Sequence, residues 1–597
     1  MKNTYAVDFE TYYDKNVSIT TLGQWHYLRH QDSDIYMVAI HGPDVEYVGD
    51  PKKAPWSKID GHKWIAHNYS FDGAVIQRLR EQGIVSASPS EWECTANISV
   101  AVGAPRNLAG ASRELLERKI DKDPRDKMQG KKWSDVDGTE FGKEVLQYAS
   151  NDAKACWMIH NQFGDKMLPM EKELSTHTIQ MGWNGVTIDR DAVDKGIKAL
   201  EKVTWESENA LPWIDETDGV VLSTKAFRRE CAKAGIPWPS SLAENSEECA
   251  IWEAQYGEKV PFVGIMRDWR KANSLLAKMK VMKSRIRPDG TMGYGLKYMG
   301  AHTGRWSGDS KWNCQNLPRN EMFGVDLRGS IVPHEGKKFV ICDLAQIEPR
   351  VLAWLCNNDG LLNAIRNGYG IYEAAAKNMG LWNGDKGTLK KTDAPLYQLV
   401  KAMVLGLGYG AGAKKFQLIA KMQYGIDMSD SRATEIVGDF RNRNKNILEL
   451  WRKLETDFQG AKADKQLEVE LPSGRVLTYR NIMSQWPEKQ KYGKDGKSRK
   501  PAWTAAVERG GPQIPFYGGK LCENLVQAVA RDVMGAAILR LEKAGCKVVM
   551  HIHDEAVCEV DKSVPAGEIE RLMSVCPEWM EGCPVGAEAV DAERYKK

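Results

Sequence analysis

The chain has 597 residues, 42% of them hydrophobic and 27% charged, too apolar for a disordered protein and long enough for about four domains or subdomains. Lys and Arg total 83 against 80 acidic residues, so a net charge of +3 says little about partners, and only local basic runs can argue for nucleic acid. The 12 cysteines form no C-x-x-C pair, the first residues lack a signal-peptide core, and no run of ~18 apolar residues occurs, so a soluble, cytoplasmic protein without a zinc ribbon, disulfide scaffold or membrane span is expected.

Residues 1–165 open with the strand pattern Tyr5-Ala6-Val7-Asp8-Phe9. Strand-then-helix stretches near 35–41 and 64–80 follow and predict an α/β domain. Residues 190–290 predict long helices rich in Lys, Arg, Glu and Ala. Phe339-Val340-Ile341-Cys342 and Val548-Val549-Met550-His551-Ile552 predict two strands far apart, with a mainly helical 361–465 between them. The Pro-, Gly- and Lys-rich stretch 487–515 predicts a long exposed loop. Helical material inserted between strands that each end in a carboxylate predicts one sheet assembled from distant segments.

In the first domain Asp8 and Glu10 end the first strand two residues apart, which puts both side chains on one face and within reach of one metal ion. Asn68-x-x-Phe71-Asp72 and Tyr148-x-x-x-Asp152 follow; the latter spacing sets a phenol and a carboxylate one helical turn apart. Four carboxylates can hold two divalent ions that activate a water and stabilise a leaving oxygen, with Tyr148 orienting the water. Each acid alone is usually a solvated loop or helix residue. Found in this order within one α/β domain, the set resembles the proofreading 3′–5′ exonucleases of the DEDD type, tyrosine subgroup.

In the second half Asp343 ends a strand and Leu-Ala-Gln346-Ile-Glu348-Pro-Arg turns into a helix, while His553-Asp554-Glu555 sits as at the tip of a β-hairpin. In-line joining of nucleotides requires two metal ions ~3.5–4 Å apart, a role that suits two aspartates on adjacent strands. It also requires a cation on the triphosphate. Lys401 supplies one, in a helix-like segment where Lys401, Leu405 and Tyr409 share a face at i, i+4 and i+8.

These segments resemble motifs A, B and C of the DNA polymerase I family (family A), in its bacteriophage branch. Thr303-Gly304-Arg305-Trp306-Ser307, Asn313-Cys-Gln315-Asn316-Leu-Pro, Gly185-Val-Thr-Ile-Asp189 and the helix carrying Gln527 and Asp532 match the family in order. The implied architecture is multi-domain α/β. A ribonuclease-H-like exonuclease domain would occupy 1–165 and a right-hand polymerase 166–597, with thumb about 190–290, palm about 291–360 and 521–597, and fingers about 361–520.

The resemblance implies template-directed DNA synthesis with 3′–5′ proofreading in phage replication. It implies two Mg²⁺ per active site, with Mn²⁺ as substitute, held by Asp343 and Asp554 (Glu555 beside them) and by Asp8, Glu10, Asp72 and Asp152. Glu348 would be the steric gate against a ribose 2′-hydroxyl, Lys401 would neutralise the triphosphate, and Gln346, Leu405 and Tyr409 would complete the nucleotide site. Arg305, Asn313, Gln315, Asn316, Arg328, Gln527 and His553 would contact primer-template, partly through minor-groove acceptors shared by all base pairs. Primer-template DNA, dNTPs and a single-stranded 3′ end are the expected partners of a monomer, together with phage replication proteins, and no 5′-nuclease domain is expected.

The departures bear on motif B. Tyr397 stands where the family has an arginine, Leu405 where it has Phe or Tyr, and Gly370-Ile371-Tyr372 replaces Asp-Ile-His. A weaker nucleotide clamp is expected unless Lys390, Lys391 or Lys414 compensates. Between Arg267 and Arg287 eight Lys/Arg face a single acid, Asp268, and suggest a duplex-phosphate surface; the basic stretch 489–500 suits either a template track or a solubilising loop. The alternatives are an exonuclease with a weakened or DNA-binding-only polymerase half, a single-subunit RNA polymerase, and a non-enzymatic nucleic-acid-binding protein.

Overall fold

The computed structural model describes residues 3–243, 246–309, 312–485 and 501–596. Near the N-terminus five strands, β1 (Thr4–Thr11), β2 (Ile35–His41), β3 (Glu46–Gly49), β4 (Lys63–Ala66) and β5 (Glu91–Cys94), form a sheet in the order β3-β2-β1-β4-β5. β1 runs antiparallel to β2 and parallel to β4. The stretch near 35–41 is not followed by a helix as its pattern suggested; β2 turns through a short link straight into antiparallel β3.

Strand alternation decides what each face of β1 does. Tyr5, Val7 and Phe9 join Val75, Ile76 and Leu79 of the helix Tyr69–Glu81 in one core. Ala6, with Met37, Ala39 and Ile65, packs against Val145, Ala149, Ala153 and Cys156 of the helix Glu140–Phe163. Each fully buried aliphatic chain contributes about 1.5–3 kcal/mol, so this sandwich fixes the register of β1 against that helix.

Helices Arg190–Asn209 and Pro261–Arg285 form a long hairpin, as 190–290 predicted. The second sheet unites distant segments in the order Lys547–Ile552, Glu555–Asp561, Lys337–Leu344, Ala587–Ala592, with antiparallel neighbours. The long helix Gly518–Lys543, buried along most of its length, belongs to the same core. Residues 359–460 are mainly helical, as seven helices joined by short loops.

Two further expectations are corrected. The stretch 487–515 is not one loop: Ala502–Ala506 and Ile514–Phe516 join Gln466–Glu470 and Val476–Gln485 in a four-stranded sheet. There Thr504, Ala505 and Ala506 are buried, so packing overrides the loop-like composition; the basic stretch 489–500 lies outside the described residues. The motif B helix, Ala394–Leu407, stops before Tyr409, which therefore does not continue the Lys401–Leu405 helical face. Tyr409 instead lies against the start of helix Gly518–Lys543, where a Cβ on Gly519 would come 2.4 Å from the Tyr409 carbonyl oxygen.

Candidate active sites

At the end of β1 the face that packs Ala6 turns acidic. Asp8 and Glu10 carry it into a cleft of about 1030 Å³. Tyr148 and Asp152, one turn apart on the helix beneath, line the same cleft, as do Asn68, Phe71 and Asp72. The Phe9 backbone N–H donates to the Asp72 carboxylate at 3.2 Å, fastening helix to strand between the two β1 acids. The three short motifs of the first domain thus converge on one cleft.

Its electrostatics are those of too many acids. Burial pushes Asp8 well above the ordinary range, aided by Asp72, Glu10 and Asp152. Burial and then Asp152 push Glu10 up to about 8. Burial also takes Asp72 to about 8, against hydrogen bonds from backbone amides, and Asp152 to about 6, against the Tyr148 hydroxyl. Arg125, which no motif singles out, lines the cleft and opposes the shifts of Asp8, Glu10 and Asp152. One Asp152 oxygen, Oδ1, is buried without a hydrogen-bond partner. An oxygen-only donor set with excess negative charge and an orphaned carboxylate oxygen fits a hard divalent cation. Among the described residues no three His, Cys, Asp or Glu side chains are gathered tightly enough to hold an ion as they stand, so the acids line the cleft without closing on a point.

The second cleft, of about 480 Å³, opens on the sheet built from distant segments. Asp343 pairs across the strands with Glu555 on one side and Glu588 on the other, and paired residues share a face. The Leu344 N–H donates to the Asp554 carbonyl at 2.9 Å, holding the hairpin turn against the end of the Asp343 strand. Asp343, Asp554, Glu555 and Glu588 all line this cleft. Burial raises the carboxyl groups of Asp554 and Glu555. Gln346 (φ 43°) and His553 (φ 55°) both adopt the left-handed conformation, unusual away from glycine, at the turns that aim these acids.

Other predicted residues divide. Arg305, Gln315, Arg328, Gln346, Glu348, Leu405 and His553 line the cleft; Lys401, Tyr409, Asn313, Asn316 and Gln527 do not. The Gln315 side chain donates to the His551 carbonyl at 2.7 Å and accepts from the His553 N–H at 3.1 Å, so it clamps the hairpin. Asn313 caps a short turn by accepting from the Gln315 N–H. Arg328 donates to the Leu317 carbonyl and stacks on Tyr595. The Lys401 ammonium lies 5.9 and 5.8 Å from the Tyr372 and Tyr424 ring centres, a cation–π cradle in which Tyr397 packs edge-on to Tyr372. Glu588 and Arg319 were not foreseen. Glu588 carries a weak signal in the alternation Ala587-Glu588-Ala589-Val590, and Arg319 carries none.

Several cations of the basic run Arg267–Arg287 have acidic partners. Arg267 pairs with Asp268, Arg270 with Glu253, Lys280 with Glu201 and Lys283 with Asp194. Arg285 and Arg287 instead line the first cleft.

The family model for DNA polymerase family A matches residues 245–590. The chain is 28% identical to the DNA polymerase of Bacillus phage SP02 over 100% of both chains. It is 24% identical to DNA polymerase I of Aquifex aeolicus over 89% of this chain and 88% of that one. Its fold is similar to the POL domain of Pol1 from M. smegmatis, solved in complex with DNA primer-template and dNTP, with a TM-score of 0.68, 16% identity, and coverage of 100% of this chain and 96% of that one. Among the described residues no helix is long and apolar enough to cross a membrane.

Proposed function

The chain belongs to DNA polymerase family A, and from that premise we propose that it is a template-directed DNA polymerase with a 3′–5′ proofreading exonuclease, acting in phage DNA replication. The exonuclease would occupy residues 1–165 and the polymerase 166–597, with thumb, palm and fingers as the motif order implies. The observation that carries the reading is the convergence of sequence-distant acids on two separate clefts, Asp8, Glu10, Asp72 and Asp152 on one and Asp343 and Asp554 on the other.

When bound, Mg²⁺ would activate the attacking oxygen and stabilise the leaving oxygen at each site. Asp343 and Asp554 would hold it in the polymerase cleft, with Glu555 fixed beside them by the Tyr595 hydroxyl at 2.6 Å. In the exonuclease cleft the four acids would hold it, and Tyr148, whose hydroxyl burial keeps protonated, would orient the attacking water by donating or accepting a hydrogen bond. Glu348, in the first turn of the helix after Asp343, would exclude a 2′-hydroxyl. Arg305 would meet the primer-template and Lys401, steadied by its aromatic cradle, the triphosphate. Tyr397, which stands where the family has an arginine and packs on Tyr372, favours one second reading, an exonuclease with a weakened polymerase half.

A 5′-labelled primer on a longer template with Mg²⁺, with and without dNTPs, tests both. Extension by wild type that Asp554→Ala abolishes while shortening persists, and shortening that Asp8→Ala abolishes while extension persists, is the expected result. A wild type that shortens but never extends selects the second reading.

A further inference from the structure

The cleft at Asp8 exceeds the ~300–1,000 Å³ that suffices for one small ligand, and one wall comes from outside the first domain. Part of that wall is the C-terminal end of the helix Pro261–Arg285 and the residues just after it, which meet the segment Thr20–Gly23. Arg285 makes the seam: its Nη2 donates to the Thr20 carbonyl at 3.3 Å, and its side chain lies where a Cβ on Gly23 (φ +76°) would be within 3.1 Å.

Arg287 has less to do. Its Nη1 reaches Thr291 Oγ1 at 3.4 Å, its Nε is buried without a hydrogen-bond partner, and Asp289 is the acid that favours its charge. Burial and then the like charge of Arg29 act against it. Arg29 itself pairs with Glu81 and stacks on Trp25 at 4.3 Å. Lys280 and Lys283, in the same basic run, are spent on acids of the neighbouring helix. Trp25, Phe71 and Trp183 supply aromatic faces along the same cleft. Arg29, Arg285 and Arg287 thus set cations beside aromatic rings on this cleft, and cations interleaved with aromatic rings are the pattern that binds single-stranded nucleic acid without reading its sequence.

We propose that Arg287, assisted by Arg29 and Arg285, forms a subsite for backbone phosphates of a single DNA strand whose 3′ end lies at Asp8, Glu10, Asp72 and Asp152. The subsite rests on the exonuclease reading and deepens it. The base of the long helical hairpin completes the nuclease site, so degradation depends on strand length beyond the reacting nucleotide. The phosphate is held through its charge, with no chemical step at Arg287.

The test compares wild type, Arg287→Ala, Arg287→Lys and, as a control on the exposed face of the same helix, Lys271→Ala. Substrates are a 5′-labelled trinucleotide and dodecanucleotide, the latter also with single uncharged methylphosphonates placed at successive positions from the 3′ end. Arg287→Ala is expected to raise KM for the dodecanucleotide about tenfold, the size of one charge-assisted contact, with kcat and the trinucleotide unchanged. It should reduce the slope of log affinity against log salt by about 0.7, and Arg287→Lys should recover most of the loss. One methylphosphonate position should weaken wild type and not Arg287→Ala. A wild-type KM for the dodecanucleotide in Arg287→Ala, or equal losses on both lengths with a lowered melting temperature, overturns the subsite and leaves Arg287 a structural residue. A wild type that extends primers but degrades neither strand removes the exonuclease reading and the subsite with it.

Discussion

Arg305 and Glu348 are each other's ion-pair partner across the polymerase cleft. One is the residue proposed to meet the primer-template, the other the proposed gate against ribonucleotides. Each neutralises the other, and under the proposed roles a primer terminus that engages Arg305 would also release Glu348 toward the nucleotide. Both side chains are partly exposed, so the pair itself adds little stability.

Glu348→Ala is therefore expected to fold normally and lose sugar discrimination. The ratio of kcat/KM for a deoxynucleotide over its ribonucleotide should fall about 10- to 100-fold, the range that removal of one steric group commands. Single-nucleotide incorporation on one primer-template measures it. An unchanged ratio would remove the gate from Glu348.

The C-terminal strand and the residues after it enter the polymerase site from behind. The Tyr595 hydroxyl donates to Glu555 at 2.6 Å, and Arg328 stacks on the same ring at 4.9 Å. Tyr595→Phe deletes one donor to a buried carboxylate, a cost of about 1–3 kcal/mol. Primer extension is expected to slow about 3- to 10-fold through kcat, with exonuclease rate unchanged, because a shift of Glu555 reaches Asp554 and not the distant nuclease acids. Equal losses in both activities would mean global destabilisation.

Local periodicity made much of this legible. Asp8 and Glu10 share a face because a strand repeats every two residues, and Tyr148 and Asp152 because a helix nearly repeats every four. The hairpin at Asp554 and the strand-to-helix turn after Asp343 could be read in the same way. What escaped depends on long-range register. Glu588 reaches the Asp343 rung only because Ala587–Ala592 adds to the far edge of that strand. Arg125 meets Asp8, Glu10 and Asp152, and Arg287 lines the same cleft, through tertiary packing that no spacing encodes. The stop at Leu407 was hidden because Lys401 to Tyr409 keeps helical spacing past the end of the helix, and the sheet holding Ala502–Ala506 because its composition resembles a loop.

A buried ion cluster joins the first domain to the helix Pro169–Asn184. Glu93, 5% exposed, meets Lys63 at 2.8 Å, His160 at 3.1 Å and Lys172 at 3.2 Å. Burial alone would raise its carboxyl group, but the His160 and Lys63 hydrogen bonds outweigh burial and hold it far below the ordinary 4.5. A depressed carboxyl stabilises the fold fully above its unfolded value and loses that contribution as pH falls below about 4.5 toward the folded value. Glu93→Gln should cost about 1–3 kcal/mol near neutral pH by removing the charge that His160, Lys63 and Lys172 share, Lys63 keeping Glu91 at 3.1 Å, and the gap from wild type should narrow in acid. Thermal unfolding of both proteins across that range checks the sign; a gap that widens in acid contradicts it.

The missing motif B arginine leaves the question of which cation would serve the triphosphate beside Lys401 in the proposed polymerase reading. Lys390, Lys391 and Lys414 were the sequence candidates, and all three are exposed and off the cleft wall. Arg319 is on that wall, and its charge is felt at Asp554, Glu555 and His553. An exposed arginine at the mouth can swing onto an incoming phosphate without first breaking a buried pair, and its planar fork suits bidentate phosphate contact. Arg319→Ala is expected to raise the dNTP KM about tenfold, one charge-assisted contact, while Lys390→Ala, Lys391→Ala and Lys414→Ala leave it unchanged. Steady-state incorporation by the four variants decides: a KM that moves with one of the lysines and not with Arg319 returns the role to the helices around motif B.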